Sequence, residues 1–219
     1  MIFVNFKTFK EGTGVNAIAL AKLLNLIASQ TQHKVIPVVQ ASDIKEVVET
    51  CGLEVWTQKI DPVEYGASTG SILAEAVFED GAVGTFLNHS EAKFGDFNLL
   101  EKAHTRAQEV GLKTLVFAQD LNELKEIVKL KPTFVAYEPA ELIGSKTTSV
   151  SQAHPQIIEK AAEIAKDARI PLIVGAGVHS HNDVRVSLQL GAMGVAVATD
   201  IVKAESPEKE LLDLIEGFA

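Results

Sequence analysis

The amino-acid sequence predicts a single-domain α/β protein folded as a (β/α)8 barrel. Short, almost continuous apolar runs recur along the chain, and amphipathic or turn-rich segments separate them. Such runs are typical of strands that are buried on both faces of a parallel sheet, and the segments between them are typical of crossover helices. Eight such units within 219 residues favour a closed barrel over an open sheet, so residues 1–219 are expected to form one domain.

The strands are predicted from runs that are rich in apolar and β-branched residues. In chain order they cover residues 1–6, 35–39, 53–57, 82–87, 113–118, 133–137, 171–174 and 193–198. After the third strand, residues 58–71 contain Pro62, Gly66 and Gly70 and predict a long turn-rich loop. Long loops in compact domains usually have a function, so we expect one for this loop.

The helices are predicted from apolar periodicity and from residues that begin or end a helix. In chain order they cover residues 15–28, 97–110, 121–130, 156–168, 180–190 and 207–215, with a further helix after the second strand. Ser42 is the expected N-cap of that further helix, and Asp120 is the expected cap of the helix over 121–130. Gly111 and Gly191 end the helices that precede strands five and eight.

Composition narrows the classes of partner. The net charge is -9 and the isoelectric point is near 5.2, which argues against nucleic acid and anionic membranes. It does not exclude an anionic small molecule, which a local lysine and backbone N–H groups can bind. The single cysteine, Cys51, excludes an internal disulfide and is compatible with the cytosol, so a cytoplasmic location is expected. We expect no signal peptide, transmembrane helix, metal site or cofactor.

Chemistry-bearing residues follow several of the predicted strands. They are Asn5, Lys7, His89, Glu138, Gly175–Gly177 and Ala198-Thr199, after strands one, four, six, seven and eight. Active sites of (β/α)8 barrels lie at the carboxyl ends of the strands, so these residues are expected to share one pocket. A strand that delivers a glutamate into a loop able to close over it is typical of a proton-abstracting enzyme.

In this order and at these strand ends, the motifs resemble those of the triosephosphate isomerase family, in particular its shorter archaeal branch. The motifs are Asn5-Phe6-Lys7, Asn88-His89-Ser90-Glu91, Tyr137-Glu138-Pro139 with Ile143-Gly144, Gly175-Ala176-Gly177-Val178, Gly194 to Thr199, and Gln58 with Asp61 to Gly70. The resemblance covers the whole chain and implies a TIM barrel. It also implies reversible interconversion of dihydroxyacetone phosphate and D-glyceraldehyde 3-phosphate through an enediolate, in glycolysis and gluconeogenesis.

The resemblance assigns catalytic roles. Glu138 would be the base that moves a proton between neighbouring carbons, and His89 would polarise the substrate oxygens as a neutral imidazole. A short helix opened by Ser90-Glu91 would help to keep that imidazole neutral. Lys7 would supply positive charge for the phosphate and the enediolate, and Glu91 would pair with Lys7 or shuttle a proton.

The resemblance also assigns substrate-binding and interface residues. Substrate contacts are expected from Asn5, Phe6, Lys7, Ile143, Gly144, Gly177, Ala198 and Thr199. Residues 139–149 would form a lid in which Ile143 covers the base. Longer family members carry serine at Gly177 and a glycine pair at Ala198-Thr199, so here the phosphate contacts rest on main-chain N–H groups. Gln58 and Thr69 are expected at a subunit interface, with a homodimer favoured and a homotetramer left open.

Three other interpretations remain. The chain could be a different phosphate-binding barrel enzyme or a catalytically silent relative, but Lys7, His89 and Glu138 together favour the isomerase. A dinucleotide-binding protein is disfavoured because Ser180 stands where a third glycine is needed. Other histidines, namely His33, His104 and His154, are expected at the surface. A phosphate contact from His179 or His181 is left open.

Overall fold

Eight parallel strands form a closed barrel in the computed structural model, which describes residues 1–139 and 155–219. The strands are β1 Ile2–Asn5, β2 Val35–Val39, β3 Trp56–Thr57, β4 Gly84–Leu87, β5 Lys113–Ala118, β6 Phe134–Tyr137, β7 Leu172–Val174 and β8 Gly194–Val197. Each strand pairs with its sequence neighbours, and β1 also pairs with β8. The predicted (β/α)8 barrel is therefore confirmed.

Helices connect the strands and pack against the outside of the barrel. Those in the described ranges are α1 Val15–Thr31, α2 Ile44–Thr50, α3 Ala74–Glu79, α4 Phe97–Val110, α5 Leu121–Ile127, α6 Pro155–Asp167, α7 His181–Gln189, α8 Thr199–Val202 and α9 Pro207–Glu216. Single 3₁₀ turns occur at Lys10–Gly12, Ala41–Asp43, Ser90–Ala92 and Val128–Leu130. Within the described residues, no helix has both the length and the apolarity to cross a membrane.

The barrel closes where β1 meets β8, in the register Ile2 to Val195. The amide of Val195 donates to the Met1 carbonyl at 3.1 Å, which extends the ladder by one residue. A Cβ at Gly194 would collide with that same carbonyl oxygen, so only glycine fits this seam. Closure leaves no unpaired strand edge, which removes the usual route to edge-to-edge aggregation.

Two apolar cores share the strands. Side chains that point outward pack against the helices, and side chains that point inward form an aromatic cluster inside the barrel. In that inner cluster the Phe3 and Trp56 rings are 5.1 Å apart in an edge-on arrangement, and the Phe86 and Phe117 rings are 4.8 Å apart. The interior is thus a packed core, and an active-site pocket is expected above it, at the mouth of the barrel.

Three expectations about local structure are wrong. Ser42 lies in a 3₁₀ turn, and Asp43 is the residue that precedes α2. Asp43 is buried and accepts from the Gly14 amide at 3.3 Å, so its side chain makes a tertiary contact and does not cap α2. The third strand is only two residues long, Trp56–Thr57. His104 was expected at the surface, but only 2% of it is exposed, because it lies on the barrel-facing side of α4.

Candidate active site

A cavity of about 220 Å³ opens at the carboxyl ends of the strands. Its walls are Asn5, Lys7, Phe86, His89, Phe117, Glu138, Ala176, Gly177, Val178, His179, Ala196, Val197, Ala198, Thr199 and Asp200. The structure therefore brings the predicted lysine, histidine and glutamate into one pocket with the loops that follow β7 and β8. The inner aromatic cluster forms its base through two phenylalanines.

Glu138 follows β6 directly and points into this pocket. Its amide donates to the Ala118 carbonyl at 2.9 Å, which continues the strand ladder and fixes the direction of the side chain. Its Oε2 accepts from the Ser90 hydroxyl at 3.1 Å and lies 3.7 Å from His89 Nε2. A Cβ on Gly175 would lie 3.3 Å from Glu138 Oε1, so the glycine leaves room for the carboxylate. This carboxylate is therefore held beside one hydroxyl and one imidazole, and its side chain is 12% exposed.

His89 presents one ring nitrogen to each side. The Glu91 amide donates to Nδ1 at 3.2 Å, at the start of the predicted short helix, which is a 3₁₀ turn. A nitrogen that accepts from a backbone N–H carries no proton, so the proton of the neutral ring is on Nε2. That nitrogen faces Glu138 and the cavity, where it can donate to a substrate oxygen.

Aromatic neighbours keep the His89 ring neutral. Phe86 stacks below it with centroids 6.5 Å apart, and Phe117 meets it edge-on at 4.9 Å. Burial by such groups lowers the pKa of His89, and this effect outweighs the carboxylates of Glu138 and Glu91, which act in the opposite direction. The direction of this shift agrees with the predicted neutral imidazole.

Lys7 has an unusual backbone conformation that two hydrogen bonds maintain. Its φ is 48°, in the left-handed region that side chains rarely adopt. Its amide donates to Asn5 Oδ1 at 3.0 Å, and its carbonyl accepts from Gln58 Nε2 at 2.8 Å. The ammonium contacts Glu91 Oε1 at 2.7 Å. The strained turn aims the lysine across the mouth of the barrel, where it provides positive charge.

The loops after β7 and β8 close the far side of the pocket with small residues. Ala176 and Gly177 both have a φ of 67°, which turns the chain sharply after β7. Ala198 precedes α8, and Thr199 is its first residue. Side chains this small let a ligand approach the backbone N–H groups closely, and the loops after strands seven and eight are a frequent phosphate site in these barrels.

Several predicted residues lie elsewhere. Phe6 is fully buried among the side chains that pack between barrel and helices and lines no part of the cavity, so a substrate contact from its side chain is wrong. Ile143 and Gly144 lie outside the described residues. The Gln58 amide group bonds to its own chain, as described for Lys7, and Thr69 is exposed in the loop that follows β3.

Several side-chain contacts of the site were not predicted from the sequence. Ser90 bonds to the candidate base, and His179 bonds to Asp200 at the far wall. Asn88 has a φ of 60° and donates to Glu123 at 2.8 Å. Asparagine tolerates positive φ better than most residues, so an asparagine directly after a predicted strand was a readable signal. No comparable signal marks the Ser90 or Asp200 contacts, which depend on side-chain directions across different loops.

One group of potential metal ligands occurs in the described residues, and it lies away from the pocket. His181, Asp213 and Glu216 place ligand atoms within 4.8 Å of one another. The amide and Nδ1 of His181 both bond to Asp213, at 2.9 and 2.8 Å. These two bonds join the start of α7 to α9, which is a sufficient structural reason for the pair.

Comparison with known proteins identifies the same family that the sequence motifs resemble. The family model described as triosephosphate isomerase matches residues 1–218. The triosephosphate isomerase of Methanobacterium bryantii is 38% identical over 98% of this chain and 95% of its own length. Those of Metallosphaera sedula and Methanocaldococcus jannaschii are 37% and 34% identical, over 99% of this chain and 95% and 99% of their own lengths. The chain belongs to the triosephosphate isomerase family.

Proposed function

We propose that this protein is an enzyme that interconverts dihydroxyacetone phosphate and D-glyceraldehyde 3-phosphate. The observation that carries the proposal is the convergence of Glu138, His89 and Lys7 in one pocket beside two small-residue loops. A carboxylate base, a neutral donor and a cation are the groups that proton transfer next to a carbonyl requires. Residues 1–219 would act as one catalytic domain.

In the proposed reaction, Glu138 removes a proton from the carbon beside the substrate carbonyl. The electron pair of that C–H bond then forms an enediolate. Nε2–H of His89 donates to the oxygens on which negative charge develops, and the Lys7 ammonium balances that charge. His89 gives its Nε2 proton to the former carbonyl oxygen and takes the proton of the neighbouring hydroxyl, which becomes the new carbonyl. The carboxyl group returns a proton to the neighbouring carbon, so no atom is gained or lost. The buried surroundings of His89 favour a neutral donor over an imidazolium.

A coupled assay tests this proposal. The purified chain receives D-glyceraldehyde 3-phosphate, and dihydroxyacetone phosphate is reduced by glycerol-3-phosphate dehydrogenase with NADH. We expect NADH consumption that is proportional to the concentration of the chain. The proposal fails if no NADH is consumed in a mixture in which an authentic isomerase turns over.

The biological setting is proposed on the same basis. Members of a family with this activity act in glycolysis and gluconeogenesis, and we place this chain there, in the cytoplasm and in the short archaeal branch. No cofactor enters the proposed reaction, because the proton leaves and returns through one carboxyl group.

A homodimer is proposed from the loop over residues 58–71, termed the arm. Its Tyr65 is 69% exposed, and Thr69 is also exposed. A second cavity, of about 650 Å³, opens beside Lys7 and Glu91 and is walled mainly by polar side chains. We propose that the arm of a second copy fills this cavity, which would exclude water from one side of the lysine.

Sedimentation of the wild type and of Thr69→Arg tests the homodimer. The wild type should sediment as a dimer, and the bulky charge should shift it to a monomer with lower activity. Gln189→Arg is the matched control, since Gln189 is exposed at the end of α7. A wild type that is fully active as a monomer would refute the dimer, and a tetramer would give a distinct sedimentation coefficient.

A further inference from the structure

An ion-pair bridge connects the two loops at the far wall of the pocket. His179 follows β7, and Asp200 belongs to α8, which follows β8. Nδ1 of His179 lies 2.9 Å from Oδ2 of Asp200, and both residues line the cavity that holds Glu138. This bridge is the only His–carboxylate hydrogen bond between the described residues that line this cavity.

The His179 ring is fixed in place from its backbone side as well. Its amide donates to Asp183 Oδ2 at 3.1 Å, and Asp183 is 1% exposed near the start of α7. Ser180 caps the same helix by accepting from the Asp183 amide. The backbone amide and the ring nitrogen Nδ1 of His179 are both hydrogen-bonded. The orientation of the ring, and with it the direction of Nε2, is therefore fixed.

Nε2 of His179 is shielded from solvent and has no hydrogen-bond partner within residues 1–139 and 155–219. A buried polar atom of this kind destabilises the protein unless a partner is supplied. Because the residue lines the pocket, a ligand in that pocket can supply the partner. The ligand must present an acceptor if the nitrogen carries a proton.

The charges that line the pocket bear on which form of the His179 ring suits a bound phosphate. Asp200 brings a carboxylate to the wall where small-residue loops favour a phosphate, and a phosphate dianion beside a lone carboxylate would be repelled. The pocket's other cation, Lys7, is already paired with Glu91 at 2.7 Å. An imidazolium at His179, with one N–H on Asp200 and the other on the phosphate, removes this repulsion.

We propose that His179 is a phosphate-binding residue of this enzyme, donating its Nε2–H to a phosphate oxygen of the substrate. Asp200 is then a positioning residue that orients the ring and stabilises its charge. This proposal rests on the proposed function, because it deepens the phosphate end of that same site. It assigns a charged side-chain donor to a wall that otherwise offers main-chain N–H groups.

The first test compares His179→Ala with His181→Ala. The two histidines are matched, since each bonds to an aspartate through Nδ1, but His181 lies outside the cavity. We expect His179→Ala to lose about 10- to 100-fold in kcat/KM for D-glyceraldehyde 3-phosphate, mostly through KM. Turnover of phosphate-free D-glyceraldehyde is followed by deuterium exchange and should change little. The ratio of kcat/KM for D-glyceraldehyde 3-phosphate to kcat/KM for D-glyceraldehyde should therefore fall by the same factor. Equal losses on both substrates would indicate a structural role and overturn the proposal.

The second test uses the charge that the variant leaves behind. His179→Ala leaves Asp200 uncompensated, so the double variant with Asp200→Asn should bind phosphate more tightly than His179→Ala alone. A double variant that is no better, or worse, contradicts the imidazolium. His179→Gln, which keeps a neutral donor, should fall between wild type and alanine and serves if the alanine variant folds poorly.

Calorimetric titration with inorganic phosphate separates this proposal from the proposed function. Weaker phosphate binding by His179→Ala than by His181→Ala supports the phosphate contact even if the wild type proves not to isomerise triose phosphates. Unchanged phosphate binding overturns the contact even if the wild type is a fully active isomerase.

Discussion

Two regions inside the barrel use the same strands for opposite purposes. The inner aromatic cluster is apolar and closely packed, whereas the mouth directly above it holds charged and polar groups. On β1 and at the end of β6, residues two positions apart contribute one to each region: Phe3 and Asn5 on β1, and Ala136 and Glu138 at the end of β6. Side chains two apart on a strand point to the same face, so the inward face continues from packing into chemistry.

This contrast predicts which property a substitution in each region should change. Groups in the cluster contribute through contact and shape, so their loss should affect stability. Groups at the mouth contribute through position and charge, so their loss should affect turnover while the fold persists. Phe86 belongs to both, since it packs on Phe117 and stacks on His89.

The largest effect is expected from removal of the base. Glu138→Gln keeps the shape of the side chain and loses the basic carboxylate, so kcat should fall by about 10⁴-fold. The matched control Glu159→Gln makes the same change on the exposed surface of α6 and should leave kcat unchanged. Circular dichroism should give the same melting temperature for both. Retention of kcat in Glu138→Gln would remove this residue from the mechanism.

Loss of the cation should come next. Lys7→Ala removes the ammonium and leaves Glu91 unpaired, but that carboxylate side chain is 54% exposed and remains hydrated. We expect kcat/KM to fall by about 10³-fold while the fold is kept. Lys45→Ala, at an exposed position of α2, is the control for the change in net charge. An unchanged KM in steady-state assays would show that the phosphate binds away from Lys7.

The sequence predicted the main residues at the barrel mouth but not the side-chain contacts around them. Lys7, His89 and Glu138 were predicted because each lies within two residues of the end of an apolar run, and the barrel rule gathers strand ends at one pocket. Phe6 was misassigned because a motif does not show which of its side chains points away from the site. The contact of His179 with Asp200 was not predicted, since it depends on how two separate loops approach each other.

The helices show a similar limit. The range of α4 was predicted as Phe97–Val110, and the structure has the same bounds. The four-residue α8 was missed because so short a helix has no periodicity. His104 was misplaced although Leu100, Ala103, His104 and Ala107 have the spacing of a buried face, which was readable in the sequence.

His104 should make stability depend on pH. Burial lowers its pKa to about 4, below the 6.5 of an unfolded histidine, and its Nε2 has no partner in the described residues. Between these values the unfolded chain binds more protons, so stability should fall as pH falls from 6.5 to 4, by up to about 3 kcal/mol. Denaturant unfolding of His104→Leu should show a smaller loss over this range. An unchanged pH dependence would contradict the assignment.

The smallest effect is expected where the cluster has no room. A Cβ at Gly84 would lie 2.6 Å from the indole of Trp56, which is fully buried, so Gly84→Ala should force the ring to shift. We expect a loss of about 1–3 kcal/mol in the free energy of unfolding. Gly95→Ala is the matched control, because a Cβ there meets no atom within 4 Å.

Activity measurements on the same pair decide whether the two regions are separable. Gly84 starts β4 and His89 follows its end. The Trp56 ring contacts Phe3, Phe3 contacts Phe86, and Phe86 stacks on His89, so a shift of Trp56 has a route of packed rings to the site. The division predicts that Gly84→Ala keeps kcat and KM near those of Gly95→Ala at temperatures at which both are folded. A fall in kcat comparable to that of a mouth variant would show that the packing of the aromatic cluster also positions the His89 ring, and that the two regions act as one.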